Sequence, residues 1–505
     1  MIMAYNIDHT KESKIKIFRK YEKTTFGIIL ILVITLSLLN LSINFKPIKG
    51  YQGSITIEAD GSIKPKDAPI ETRDKVTYKL TDHIFTDSFA INILRSNIIL
   101  DGSGFTIKGS GNYSGILVNG KNVLIKNINI RGFFTGITVR GDNCIIIKNK
   151  IEENNGHGIE VGKSSNCIIT ENILVGNKEF GIYASSVSSI TIFKNNIENS
   201  NTGINLRSCS NSMIINNNLI SNPYHGILID GLSKNITVSH NEIKGILTGL
   251  VGGSSAITII QASNITIKYN VVKESYYGIQ FFISSYNTAS GNDVKNTRHG
   301  IYLRQSSDIS INYNLIQNNN NGIYLIKSTN NTINNNIIRQ NEDGIRVQNS
   351  SHNIIYNNNF INNNRQVTDD SKNLPNISPS INNWDNGYPT GGNYWSNYSG
   401  KDEKKGPNQD IQGSDGIGDV PYVIYKDNKD NYPLMEPLMI NITTPPIPNI
   451  TIPTITITTS PIETSPTTTH IATQPSQFDF SLLIILLIII IAVATVIAIV
   501  RVIKK

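Results

Sequence analysis

The sequence predicts an all-β chain: one long parallel β-helix, a solenoid of roughly 22-residue coils, with a transmembrane helix at each end. Three observations predict it. A Gly-Ile pair and an Asn recur with one shared period, short apolar alternations fall inside each period, and two uncharged apolar runs lie beside basic residues. At 505 residues the chain could hold several ordinary domains, but a single repetitive body accounts for it better.

Residues 1–25 form a basic cytoplasmic N-terminus of net charge +3, with Lys11, Lys14, Lys16, Arg19, Lys20 and Lys23 against Asp8, Glu12 and Glu22. Residues 26–45 are an uncharged run of 20, and Leu482–Val500, within a second predicted span at 478–500, is a run of 19 that ends at Arg501. Each can cross about 30 Å of hydrocarbon as a helix. Cationic flanks stay on the cytoplasmic side, so both ends are expected inside and residues 46–477 outside, which makes the cell membrane a partner. The first run is either a retained signal anchor or a cleaved signal peptide; both export the middle of the chain. The tail 501–505 contributes another +3, so about +1 of the total +7 is left for everything between. The basic pI belongs to the tails, which excludes a polyanion-binding body and with it nucleic acid.

The period runs through residues 85–365, behind an N-terminal cap at 46–84. Gly115, Gly136, Gly158, Gly181, Gly203, Gly226, Gly278, Gly300, Gly322 and Gly344 each precede Ile, and Gly249 precedes Leu, at spacings of 21 to 23 with one of 29. Asn149, Asn172, Asn195, Asn218, Asn241, Asn270, Asn292, Asn314, Asn336 and Asn358 keep step, with the same single 29. Between Gly226 and Gly249 the apolar residues fall as Ile227 and Ile229, Ile236 and Val238, then Ile243. Three short strands per unit, separated by Asn, Ser and Gly turns, make one coil. A leucine-rich repeat would need regularly placed Leu and a helical turn, which the units lack.

Coils stack about 4.8 Å apart, so equivalent residues are direct neighbours. Stacked Asn amides can hydrogen-bond as a ladder, since each carries a donor and an acceptor. The Gly before Ile is expected where a Cβ would obstruct the backbone. Lys148, Glu171 and Lys194 align as an outward ladder of alternating charge. Cys144 and Cys167 fall where other coils place Ile190, Met213, Ile236 and Ile265, so both are expected inward and stacked, as two buried thiols or as a disulfide between adjacent coils. Cys209 is out of register with them and is expected unpaired.

Past the repeat, residues 366–439 read as a closing module in which Trp384 and Trp395 seal the open end of the stack. Residues 440–477, rich in Thr, Pro and Ile, read as an extended, O-glycosylated stalk. Sequons at Asn112, Asn235, Asn264, Asn330, Asn349, Asn376, Asn397, Asn441 and Asn449 suit an exported surface.

The stretch "NNWDNGYPTGGNYWSNYSG" from Asn382, with "GPNQDIQGSDGIGDVPYVI" and "DNYPLM" after it, resembles the closing module of NosD-like parallel β-helix proteins, especially membrane-anchored archaeal surface proteins that carry this domain. "ITIEADGSIKPKDAPI" and "NIILDGSGFTIKG" resemble their first coils. The resemblance implies a right-handed helix and an association with carbohydrate-binding and sugar-hydrolase β-helices, and for NosD itself with copper-site assembly. Shared fold does not fix function.

Copper would need clustered His, Met or Cys. His157, His225 and His299 each precede the Gly of a Gly-Ile pair but lie three coils apart, roughly 14 Å by the coil spacing, and are expected on the turn surface. Glycan cleavage would need converging carboxylates; Glu152 and Glu198 share a register two coils apart with Val175 between, a weak pair. Binding is better supported. Outward rows read Gln280 and Phe282, Tyr302 and Arg304, Tyr324 and Ile326, Arg346 and Gln348, and exposed aromatics beside Arg and amides suit sugar rings. Lys244, Lys273 and Lys295 form a second strip that could attract acidic glycans. The extra residues before Gly278 are expected after the Gly-Ile strand, near 251–257. Asp410, Asp415 and Asp419 around "GSDGIGD" have the alternation of a structural Ca²⁺ loop. The expected function is a membrane-anchored surface protein for envelope architecture or adhesion, binding polysaccharide without cleaving it and open to lateral self-association; the alternative is a cell-attached polysaccharide lyase or glycoside hydrolase.

Overall fold

A computed structural model of the chain describes residues 50–246, 253–373, 379–426 and 428–453. They form an all-β solenoid of about 13 coils. Each coil gives one strand to each of three parallel sheets. Sheet 1 has 15 strands and ends on Tyr394–Trp395, sheet 2 has 15 and ends on Arg365–Asp369, and sheet 3 has 14 and ends on Ile354–Tyr356. The chain visits sheet 2, then 3, then 1, and starts again. Strands of all three sheets already occur between Tyr51 and Leu80, ahead of the first Gly-Ile pair.

Alternation explains the core. In sheet 2 the column Ile137, Ile159, Ile182, Ile204, Ile227 and Ile257 is fully buried, as is Ile151, Leu174, Ile197, Leu219 and Ile243 in sheet 1 and Ile169, Ile192, Ile214 and Val238 in sheet 3. Each such side chain contributes about 1.5–3 kcal/mol by leaving water.

The corner between sheets 3 and 1 has a definite construction. The residue before each ladder Asn is left-handed: Lys148, Glu171 and Lys194 have φ of 56°, 54° and 55°, and Tyr269 and Tyr313 have 56° and 55°. Such a conformation costs a non-glycine residue ~1–2 kcal/mol. The Asn beside it offsets that cost with hydrogen bonds. Asn292 Nδ2 donates to the carbonyls of Ile267 and Ser290 at 3.0 and 3.2 Å and to Asn314 Oδ1 at 2.9 Å, while its own Oδ1 accepts the backbone N–H and amide of Asn270. The run continues from Asn149 to Asn358 and ends on Asn393.

One rung differs from expectation. The ladder passes from Asn195 to Asn217 and then Asn241, not through Asn218, which lies outward in sheet 1 and donates to Asn196. Both asparagines stand two residues before an apolar one, but Leu219 is buried and Ile220 is not. The same one-residue shift moves Met213 out to 39 % exposure and seats Ser212 in the inward position.

The interruption of the spacing also lies elsewhere than expected. Ile227 pairs with Ile257, so Ala256-Ile257, not Gly249-Leu250, is the counterpart of the Gly-Ile pair. The extra residues precede strand Ser255–Ile260 instead of following it, and 247–252 lie outside the described residues. The Gly requirement itself is close stacking: a Cβ on Gly158 or Gly181 would sit 2.6 Å from the Gly carbonyl oxygen of the next coil. Ala256 tolerates its site.

The three cysteines are buried free thiols. Lys148 pairs with Glu171 at 3.6 Å, while Lys194 lies 6.0 Å from the ring of Phe193. At the far end Trp395 stacks between Phe360 and Tyr422, 4.3 Å from each, and Trp384 is buried beside it. Asp430, fully buried, accepts from Asn393 N at 2.7 Å and Trp395 Nε1 at 2.9 Å; burial still pushes its carboxyl up to about 7.

Beyond the closing module the chain turns back along the stack. Leu438 exchanges two hydrogen bonds with the Asn359 side chain, and Pro445 O meets His240 Nε2 at 3.1 Å, five coils earlier. Among the described residues no helix is long and apolar enough to cross a membrane. Both expected spans, 26–45 and 478–500, and the stalk beyond 453 lie outside the described residues.

Candidate functional site

Sheet 2 carries the candidate site on its outer face, because the residue before each Gly and the one after each Ile point away from the core. The first row reads Phe180, Thr202, His225, Ser255, Tyr277, His299, Asn321, Asp343 and Arg365. Beside it run Glu160, Tyr183, Asn205, Leu228, Thr258, Gln280, Tyr302, Tyr324 and Arg346. The register therefore brings Gln280, Tyr302, Tyr324 and Arg346 together, with Phe282, Arg304, Ile326 and Gln348 alongside.

Their exposure differs from expectation. Tyr302 is only 5 % exposed, with Tyr277 stacked on it at 4.6 Å and His299 and Tyr324 each 5.6 Å away. Arg346 makes two hydrogen bonds to Asp370, at 2.8 and 2.9 Å, and Asp370 also takes the Tyr324 hydroxyl at 3.0 Å. Asp343, 1 % exposed at its side chain, is held by Thr368 and Arg365. This downstream cluster is a filled, satisfied network. Sequence reasoning missed Tyr277, Asp343 and Asp370; the signal for the first two was the residue before each Gly, read only where it was His, while Asp370 lies in the turn after the last strand of sheet 2 and carries no repeat signal.

The histidines are not surface turns either. His299 is buried against Tyr277, and its Nδ1 accepts from Asn321 Nδ2 at 2.7 Å; burial, then Arg298 and Arg346, pull its pKa down to about 4. Burial takes His225 to about 4 as well, with Thr258 Oγ1 at 3.2 Å. His157 packs among Phe134, Phe180 and Tyr183 with Glu179 Oε2 3.4 Å away, and burial lowers its pKa against the pull of Glu179 and Glu160. All three are neutral at pH 7.

Upstream the face is open. Tyr224 is 55 % exposed, and a groove of about 380 Å³ is lined by Glu179, Phe180, Asn201, Thr202, Tyr224 and His225. A second cavity, about 390 Å³, lies between the last coil and the closing module beside Gln366, Asn397 and Tyr422.

The remaining expected residues fall elsewhere. Lys244, Lys273 and Lys295 do align on sheet 1, but Lys273 pairs with Glu242 at 2.9 Å and Lys295 with Asp293 at 2.6 Å. Glu152 and Glu198 flank Val175 in register, the first tied to Lys150 at 2.6 Å and the second to Asn196 at 2.8 Å. Asp415 accepts from Gly406 N and Gln409 Nε2, Asp419 from the backbone of Glu403 and Lys404, and Asp410 is exposed. Among the described residues no group of three or more His, Cys, Asp or Glu is placed to hold a metal ion. Of the sequons, Asn376 lies outside the described residues and the other eight are exposed.

With that geometry in place, comparison decides the type of coil. The family described as "Periplasmic copper-binding protein (NosD)" matches residues 232–400, and "Right handed beta helix region" matches 114–261. This is a NosD-like right-handed parallel β-helix repeat protein. No curated protein matches the chain. Among solved structures the NosD-like chain is similar in fold to DFA-IIIase from Arthrobacter chlorophenolicus A6 (15 % identity, TM-score 0.34), covering 46 % of this chain and 66 % of that one, just under two thirds of its length. It is also similar to the A-module of mannuronan C-5 epimerase AlgE6 from Azotobacter vinelandii (11 %, TM-score 0.35, 60 % and 90 % covered) and to the periplasmic alginate epimerase AlgG (15 %, TM-score 0.34, 60 % and 80 %).

Proposed function

We propose that the chain is a membrane-anchored cell-surface β-helix protein that binds carbohydrate on the outer face of sheet 2 without cleaving it, in envelope architecture or adhesion. The observation that carries this reading is the composition of that face where it is open: the stacked rings of Phe180 and Tyr183 beside the Thr202 hydroxyl, the Asn205 amide and the neutral imidazole of His225, along a rigid parallel sheet. Sugar rings present apolar faces and hydroxyl edges, which such a surface matches. The word "periplasmic" in the matched family's description agrees with an exported body.

Copper does not fit this donor set. The histidines stand three coils apart with Nδ1 of His225 and His299 already engaged, and Cys144, Cys167 and Cys209 are buried in the core. Cleavage is disfavoured because Glu152 and Glu198 lie on sheet 1, each tied to a neighbour, away from the aromatic face. The test is to incubate the full chain in detergent with immobilised glycans and assay both retention and released reducing or unsaturated ends. Retention without release is expected; release would move the protein to the lyases or hydrolases, and neither would leave a spacer.

A further inference from the structure

The upstream groove differs from the rest of the sheet 2 face in three ways. It holds an exposed ring, Tyr224, where the downstream rings are covered. It holds one carboxylate, Glu179, and none of its six lining residues is cationic. And it adjoins the one large interruption of the coil spacing between Asn149 and Asn358, since the extra residues end at Ser255, whose N–H bonds Tyr224 O at 2.9 Å. In solenoids insertions beyond the repeat map to loops on one face, often the one used for binding.

We infer that this groove is a subsite for a neutral hexose unit of a glycan chain, and that it selects against uronates. The inference rests on the carbohydrate-binding reading above and narrows it to a place and a class. Tyr224 offers its face to the apolar face of the sugar. Asn201, Thr202 and Glu179 line the groove with an amide, a hydroxyl and a carboxylate, the complement of adjacent sugar hydroxyls. His225 is kept neutral by burial and has Nδ1 engaged by Thr258, so it brings no charge to the groove. A sugar carboxylate would meet Glu179 with no cation to neutralise the pair, and like charges at short range disfavour each other. The Lys strip, which would suit an acidic glycan, lies on sheet 1 and is partly neutralised by Glu242 and Asp293.

The test uses the full chain in detergent with neutral hexose oligomers (cellohexaose, mannohexaose, maltohexaose) and hexagalacturonate as probes. At least one neutral oligomer is expected to be retained, with hexagalacturonate weaker by at least tenfold. Tyr224→Ala is expected to weaken neutral binding about tenfold or more, with a near-unchanged melting curve because the ring is exposed. Glu179→Gln is expected to weaken it several-fold and to narrow the gap to hexagalacturonate. If a neutral oligomer binds but neither change affects it, the groove assignment falls while carbohydrate binding stands. Tighter retention of hexagalacturonate by the unaltered protein would overturn the class. Retention of no oligomer at all would overturn both this inference and the reading beneath it.

Discussion

A corner residue such as Tyr269, at φ 56°, stores strain that only the stack around it can hold, and the Asn that follows supplies the hydrogen bonds that do so. Asn292→Ala removes donors to two carbonyls and to Asn314 and leaves the backbone N–H of Asn270 without its acceptor, all in a buried site. The expected loss is about 1–3 kcal/mol or more in denaturant unfolding, whereas Asn218→Ala, on the outward neighbour of a ladder residue, should change little. Equal losses would mean that the ladder does not carry the corner. Asp430 gives a pH signature at the same scale. Its folded pKa, about 7, is raised above the unfolded carboxylate value, so the folded state holds a proton the unfolded chain has lost. Stability from this group is full below about pH 4 and is lost as pH rises to 7; Asp430→Asn should flatten that slope in thermal melts. Sequence spacing could place the ladder to within a residue, but Asn217 and Asn218 both precede an apolar residue by two, and only burial of Leu219 decides between them.

Strands were legible because alternation and stacking reinforce each other: Ile236 is buried and Thr237 half-buried, as period 2 requires. Ile236→Asp should abolish folding by placing an unpaired charge in the core, and Thr237→Asp should fold, as read by circular dichroism and by resistance to protease. What alternation cannot give is how outward side chains cover one another. Tyr302 occupies an outward position yet lies beneath Tyr277, His299 and Tyr324, because aromatic rings on adjacent coils fold over their neighbours. Tyr302→Ala should thus lower stability by about 3 kcal/mol and leave glycan retention intact, opposite to the outcome expected of an exposed sugar platform. The interruption was misplaced for a related reason. Gly249-Leu250 mimics the repeat pair, but the strand that pairs with Gly226-Ile227 carries Ala256-Ile257 at that position.

Across the whole molecule, the segment that reads as a stalk begins by retracing the solenoid, from Asn359 back to His240, instead of leading away from it. A short bifunctional thiol cross-linker should join His240→Cys to Pro445→Cys in the folded protein and fail to do so after unfolding in denaturant; no cross-link in the folded state would mean that the segment leaves the body directly. Composition alone identifies such a segment as extended, and the partners that hold it, two side chains on the coil surface, leave no periodic trace. Capture of glycan without cleavage, as proposed above, is tested most directly by the mass of oligosaccharide recovered from the complex after prolonged incubation with the full-length protein. Recovery with the protein at unaltered mass is expected; shortened or unsaturated fragments, or recovery of no oligosaccharide, would contradict it.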